Sequence, residues 1–156
     1  MKKGTVIGTL VGAVVGVTLG GNMANKKLVE KETKIDKFKQ YYNMLNEWLR
    51  IKQEGKNLVK YFEENNYKEI AIYGMGEMGN RLLDDLKDSS VVVKYAIDKN
   101  AESTYAEIDV KKIDDELEKV DAIVVTAVFA YDDIVEDIQD KFLCPIVSLE
   151  DVVYGL

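Results

Sequence analysis

Three glycines, Gly74, Gly76 and Gly79, stand in the spacing G-x-G-x-x-G directly after the apolar run Ile70-Ala71-Ile72-Tyr73. Such spacing suits a phosphate. The first glycine allows a tight turn, the second removes a Cβ from the path of a pyrophosphate, and the third lets the next helix pack close to the strand. The helix N-terminus offers N–H groups and a partial positive charge to an anion. Asp98 follows about twenty residues later, where a dinucleotide-binding βαβ unit places the carboxylate that accepts a ribose hydroxyl. The candidate ligand-binding residues are Gly74, Met75, Gly76, Glu77, Gly79, Arg81, Asp98 and Thr126, with Ala127 beside Thr126. Glu77 repels a pyrophosphate unless it points away, and Arg81 offsets it. Two alternatives stay open: the glycines serve only the tight turn, and Asp98 is only a strand-end turn residue beside Lys99 and Asn100. The ligand classes implied are NAD(P) and a nucleotide sugar.

The remaining chemistry is narrow. Histidine is absent, which removes imidazole acid–base catalysis, His-ligated metals and His-dependent nucleophile systems. Neither a catalytic residue nor a metal ligand is assigned. The single cysteine, Cys144, has no partner for an internal disulfide and fits a reducing compartment. It reads as a small buried apolar residue, since no activating base is near it in sequence. A net charge of −7 argues against nucleic acid as a partner of the whole molecule.

The elements that must position the glycine turn alternate between strand and helix. After the turn, Met78 to Lys87 reads as an amphipathic helix and Val91 to Ile97 as the second strand. Thr104 to Ile108 reads as a short third strand or an extended turn, and Val110 to Glu118 as a helix carrying Ile113 and Leu117. Asp121 to Val128 is an almost unbroken apolar run, as a buried parallel strand requires. Tyr131 to Phe142 forms a helix with Ile134, Val135 and Ile138 inward, Pro145 to Leu149 the last strand, and Glu150 to Tyr154 a closing turn of helix. This alternation forces right-handed crossovers and an α/β fold with a parallel sheet covered on both faces. The expected strand order is 3-2-1-4-5, with the crevice at the carboxyl ends between strands one and four.

Ahead of this domain (67–156) lie a helical connector (24–66) and a glycine-rich segment (1–23). In the connector, Leu28, Ile35, Phe38, Tyr42, Leu45 and Leu49 fall at a/d-like positions, interrupted by Lys31 and Lys52. Tyr41, Met44, Trp48 and Ile51 add a second stripe. So wide a surface suits packing on a globular domain better than a two-stranded coiled coil. Gly55 ends or bends the long helix; a second runs from Lys56 to Asn65.

Residues 4–21 carry no charge and at roughly 1.5 Å per residue reach about 27 Å, just enough to cross a bilayer core. A single transmembrane helix is expected there. Lysines after it outnumber those before it, which places the C-terminal domain in the cytoplasm. Gly4, Gly8, Gly12, Gly16 and Gly20 share one helical face, a small-residue ridge that lets two helices approach and form a homo-oligomer. A cleaved signal peptide and a peripheral glycine-rich tail are the competing readings, although Asn22-Met23-Ala24 matches a cleavage site poorly.

From Tyr41 onward the chain resembles a group of small Rossmann-like domains of Gram-positive bacteria, found alone or fused to proteins of surface-polysaccharide synthesis. The resemblance rests on Trp48-Leu49 with Gly55-Lys56-Asn57, on Ile70 to Gly79, and on Tyr95-Ala96-Ile97-Asp98-Lys99. It continues through Val120 to Ala127 and Ile146 to Asp151. It implies the cofactor-domain fold of nucleoside-diphosphate-sugar epimerases and dehydrogenases, with polysaccharide-biosynthesis proteins as partners. The Tyr-x-x-x-Lys pair of short-chain epimerases is missing from the region where they carry it, and so is their separate substrate domain.

Overall fold

The computed structural model of the protein describes residues 30–156. The glycine-rich segment and its ridge lie outside the described residues. Among the described residues no helix is long and apolar enough to cross a membrane. The chain divides after Tyr42, with Asn43–Leu156 forming one compact unit.

Helix α1 spans 30–53. It contains no proline, and Arg50 pairs with Glu47 and Glu54 one turn to either side. Gly55 stops it at φ +75°. The Gly55 N–H donates to the Lys52 carbonyl at 3.0 Å and the Lys56 N–H to that of Ile51 at 3.1 Å, which is the Schellman arrangement. Helix α2 (Val59–Glu64) ends in the same way, with Asn66 at φ 59° in the place of the glycine. There the Asn66 N–H reaches the Glu63 carbonyl and the Tyr67 N–H that of Phe62.

Two stripes were legible on α1, and within residues 43–156 they part company. Met44, Trp48 and Ile51 are buried, whereas Leu49 is half exposed. Indole Nε1 of Trp48 donates to Oδ2 of Asp85 at 3.2 Å, and the Lys52 ammonium pairs with the other oxygen of that carboxylate. Through Trp48 and Lys52, residues 43–53 of α1 are therefore bonded to α3 (Glu77–Leu86).

Five strands make one sheet in the order β3-β2-β1-β4-β5. They are β1 (Glu69–Tyr73), β2 (Val92–Ile97), β3 (Val110–Lys111), β4 (Ala122–Val125) and β5 (Ile146–Ser148). Every pairing is parallel. The order is the one that strand–helix alternation led to. Ile70, Ala71 and Ile72 of β1 and all four residues of β4 are fully buried, because helices cover both faces of such a sheet. On one face Ala71, Tyr73, Tyr95, Ile97, Ile123 and Val125 pack with Ile134 and Ile138 of α4 (Tyr131–Ile138). An irregularity in β2 skips Lys94, so that Ala71 lies opposite Tyr95. Lys94 then meets Glu69 and Glu118 at the surface while Tyr95 goes inward.

One stretch departs from expectation. Val110–Lys111 is strand and 112–120 is turn and irregular chain, not a helix, while 104–108 is not a strand. Edge bonding decides it. The Ala96 N–H donates to Asp109 O at 2.9 Å and the Asp98 N–H to Lys111 O at 3.0 Å, which draws 109–111 into the sheet. Asp115 then folds back, its carboxylate accepting from the Lys112 N–H at 2.6 Å, which closes a single turn that does not continue as helix. The Tyr95 hydroxyl donates to Glu118 O at 2.8 Å and holds the rest of the loop. Helix α4 also ends sooner than its pattern suggests, passing into a 3-10 turn at Gln139–Lys141. Helix α5 (Leu149–Tyr154) closes the chain, with the Ser148 hydroxyl accepting from the Glu150 N–H at 3.2 Å.

Candidate functional site

The glycine turn leaves the carboxyl end of β1, the central strand, and enters α3. The chain proceeds from there to β2 and β3 on one side and returns to β4 and β5 on the other. The turn therefore lies at the switch between β1 and β4, where an open parallel sheet leaves a crevice.

Each glycine has a different neighbour. Gly74 has φ +97°, a left-handed conformation that disfavours any side chain, and a Cβ there would lie 2.9 Å from Oγ1 of Thr126. Its N–H donates to Ile97 O at 2.8 Å, which ties the turn to the end of β2. Gly79 is buried, and its Cβ would meet the Gly74 carbonyl oxygen at 2.3 Å. Close seating of α3 on the turn thus depends on Gly79. Gly76 is exposed with φ −77°, and a Cβ there would meet nothing within 4 Å. Among the described residues nothing requires a glycine at 76.

Gly76 is the N-cap residue of α3, and no side chain caps that end. The N–H groups at the start of any helix lack intrahelical acceptors and face outward with the positive end of the dipole. Glu77 is exposed in the first turn, where its charge competes with an incoming anion for the same dipole. Arg81, one turn along, lines a hollow of about 340 Å³ together with Leu45, Trp48, Leu49, Lys52 and Asp84.

Asp98 is engaged with the main chain. Oδ2 accepts from the Met75 N–H at 2.9 Å and Oδ1 from the Asn100 N–H at 2.8 Å. The carboxylate therefore bridges the glycine turn and the loop after β2, and one turn amide already has an acceptor. Met75 itself is buried. Thr126, 4% exposed, donates its hydroxyl to Gly74 O at 2.6 Å while its N–H donates to Tyr73 O at 3.0 Å. It braces the turn from the end of β4, with Ala127 following. The structure thus brings Gly74, Met75, Asp98 and Thr126 into one bonded cluster, with Gly79 seated against Gly74 and with Gly76 and Glu77 exposed.

No family model matches the chain, and neither a curated protein nor a solved structure does so.

Asn80 belongs to the site and was absent from the sequence-derived set. Its Nδ2 donates to Gly76 O at 3.0 Å and fixes the first turn of α3. The signal was an asparagine directly after the last glycine, a type that bonds nearby backbone readily. Tyr73, Tyr105 and Tyr131 are placed differently from one another. Tyr73 is 5% exposed and burial raises its pKa; Tyr131 donates its hydroxyl to Ile146 O at 2.7 Å; Tyr105 is 92% exposed. The spacing Tyr-x-x-x-Lys does occur at Tyr95 and Lys99. There Tyr95 lies in β2 and Lys99 beyond its end, with the Tyr95 hydroxyl bonded to Glu118 O and burial raising its pKa.

Elsewhere, a cavity of about 550 Å³ is lined by Ile113, Leu117, Val120, Phe142, Leu143 and Cys144 among others. It lies where chain enters β4 and β5, at the sheet end opposite the glycine turn. Cys144 is half-buried there, and burial raises its thiol pKa, which disfavours the thiolate. Among the described residues no group of His, Cys, Asp or Glu side chains has the grouping to hold a metal ion.

Proposed function

We propose that the protein is a membrane-tethered, cytoplasmic module that holds a nucleotide or nucleotide sugar at the Gly74–Gly79 turn. Its role would be to position partner enzymes of surface-polysaccharide synthesis at the membrane, with no covalent step of its own. One observation carries the ligand half of this reading. The uncapped start of α3 lies at the β1/β4 switch, and the space beside Gly76 is open. A glycine with no internal reason for its missing Cβ fits a backbone that something outside the protein must approach closely. The tether rests on the uncharged residues 4–21, and the partner class on the family resemblance.

Isothermal titration of the full-length protein against NAD, NADP, UDP-sugars and CoA tests the ligand half. Binding of at least one, abolished in Gly76→Leu, is the expected outcome. Uniform silence rejects it. Alkaline extraction of host membranes tests the tether, and release of the protein by carbonate would sink that half alone.

The bonds of Asp98 favour a second reading, in which the turn is purely structural. Both of its oxygens are engaged by main-chain N–H groups, and Gly74 and Gly79 satisfy internal close approaches. This reading expects no ligand, and no phenotype from Gly76→Leu. A partial epimerase or oxidoreductase completed by another subunit would instead reveal itself by nicotinamide or flavin absorbance in the purified protein.

A further inference from the structure

Residues 30–42 of α1 carry three large apolar side chains that are mostly in solvent: Ile35 at 52%, Phe38 at 76% and Tyr42 at 69% exposure. At 100° per residue these three point in one direction, within about 60° of each other. Together with Lys39 they line a shallow groove. The charged residues around them are largely sorted by sign. Lys34 and Lys39 project roughly 70° to either side of the apolar line, and Lys31 lies along it one turn earlier. Glu30, Glu32 and Asp36 point about 90° to 130° away, and of the lysines only Lys37 shares that far side.

The sorting continues in the chain as a whole. Residues 1–42 hold eight of the 21 basic residues and three of the 28 acidic ones, so a net +5 precedes a net −12. The apolar line with flanking lysines therefore sits in the part of the chain that carries the positive charge.

We propose that residues 30–42 lie flat on a bilayer containing anionic phospholipid, with Ile35, Phe38 and Tyr42 entering the acyl boundary and Lys34 and Lys39 reaching the headgroups. An interfacial helix needs such an arrangement, apolar and aromatic side chains on one line and lysines beside it. The long lysine stems snorkel along the apolar surface and carry their charge outward to phosphate. The acids on the far side avoid the negative surface.

A second copy of this helix is the poorer occupant. In a heptad Ile35, Phe38 and Tyr42 take a, d and a. Lys34 and Lys39 then take g and e, where a parallel pair sets them against each other, and Lys31 falls at a core position. This inference does not rest on the glycine turn. Nor does it need residues 4–21 to span, although a span there would hold the helix at the surface.

Phe38→Trp in the full-length protein, with Tyr42→Trp as an independent second probe, tests it. Wild type supplies the background from Trp48, which is buried. Vesicles of phosphatidylcholine with a minority of phosphatidylglycerol, both brominated in their acyl chains, should quench the new tryptophan and leave Trp48 unaffected. Adding Lys34→Glu and Lys39→Glu should weaken that quenching response about tenfold or more in lipid concentration. Absence of extra quenching in both tryptophan variants would overturn the proposal. Equal quenching by pure phosphatidylcholine vesicles would overturn it too, as would a blue shift that follows protein concentration without lipid, the sign of a second copy.

Discussion

Gly76 and Gly79 stand three residues apart in one turn, yet their substitution separates ligand approach from folding. Gly79→Ala drives a Cβ into the Gly74 carbonyl, and neither group has room to retreat within a packed strand–helix junction. The expected loss is about 3 kcal/mol of stability, read from urea unfolding. Gly76→Leu meets open space at an ordinary φ. It costs at most about 1 kcal/mol, the difference between glycine and leucine as a helix cap. If the two variants are equally destabilised, Gly76 has a structural duty that its surroundings do not display. Asp98→Asn is the companion test. The amide oxygen replaces one acceptor and its NH2 opposes the other main-chain donor, so about 1–3 kcal/mol of stability should go with the lost charge-assisted bond. Should Asp98→Asn leave stability unchanged while abolishing binding of a ribose-bearing ligand, the bridge between turn and loop matters less than the ligand does.

At the scale of elements, one indole and one carboxylate tie α1 to α3. Trp48 is 5% exposed and shares Asp85 with Lys52. Trp48→Ala should cost about 3–5 kcal/mol from lost burial alone. Leu49→Phe, on the exposed stripe, should be nearly neutral by the same urea titration. A second element-level prediction concerns the start of the sheet, where the Asp121 carboxylate accepts the Lys68 and Glu69 N–H groups at 2.8 and 2.9 Å. Those bonds to the charged form lower its pKa below the ordinary 3.8, the main-chain donor of Glu69 contributing most. A depressed folded-state pKa contributes stability that is present above the unfolded value and lost as pH falls through the folded one. The gap in stability between wild type and Asp121→Asn should therefore be constant at neutral pH and narrow as pH falls below about 4. A gap that widens in acid reverses the sign and removes Asp121 from the account. These elements also show what the sequence disclosed. The glycine turn, the burial of β4 and the stop at Gly55 were legible because each depends on local chemistry. Residues 110–118 were misread as helix because Ile113 and Leu117, four apart, imitate one. Their neighbours Asp109 and Lys111 were instead taken by the edge of β2, a long-range bond that no window of sequence contains. The functions of the two α1 stripes were also undetermined, since either one suits a core and only packing chose Met44, Trp48 and Ile51.

For the molecule as a whole, the strand order predicts how stability is distributed around the crevice. β1 is bonded on both sides along its length, to β2 and to β4, and its residues from Ile70 to Ile72 are fully buried. β3 contributes two residues at an edge and is followed by a stretch without strand or helix, held by side-chain bonds such as those of Asp115 and Tyr95. Local opening follows the density of buried contacts. In native-state hydrogen exchange the amides of Ile72 and Val124 should therefore exchange only with global unfolding, whereas 112–120 should exchange orders of magnitude faster. The glycine turn sits between these extremes. Gly74, bonded to Ile97 and Thr126, belongs with the rigid centre, while the start of α3 at Gly76 and Glu77 belongs with the open surface. A ligand seated on those N–H groups would slow exchange at 76–78 and leave Gly74 unchanged. A turn that serves structure alone would show no slowing at 76–78 when NAD or a UDP-sugar is added, and that outcome would move the search for a ligand to another part of the fold.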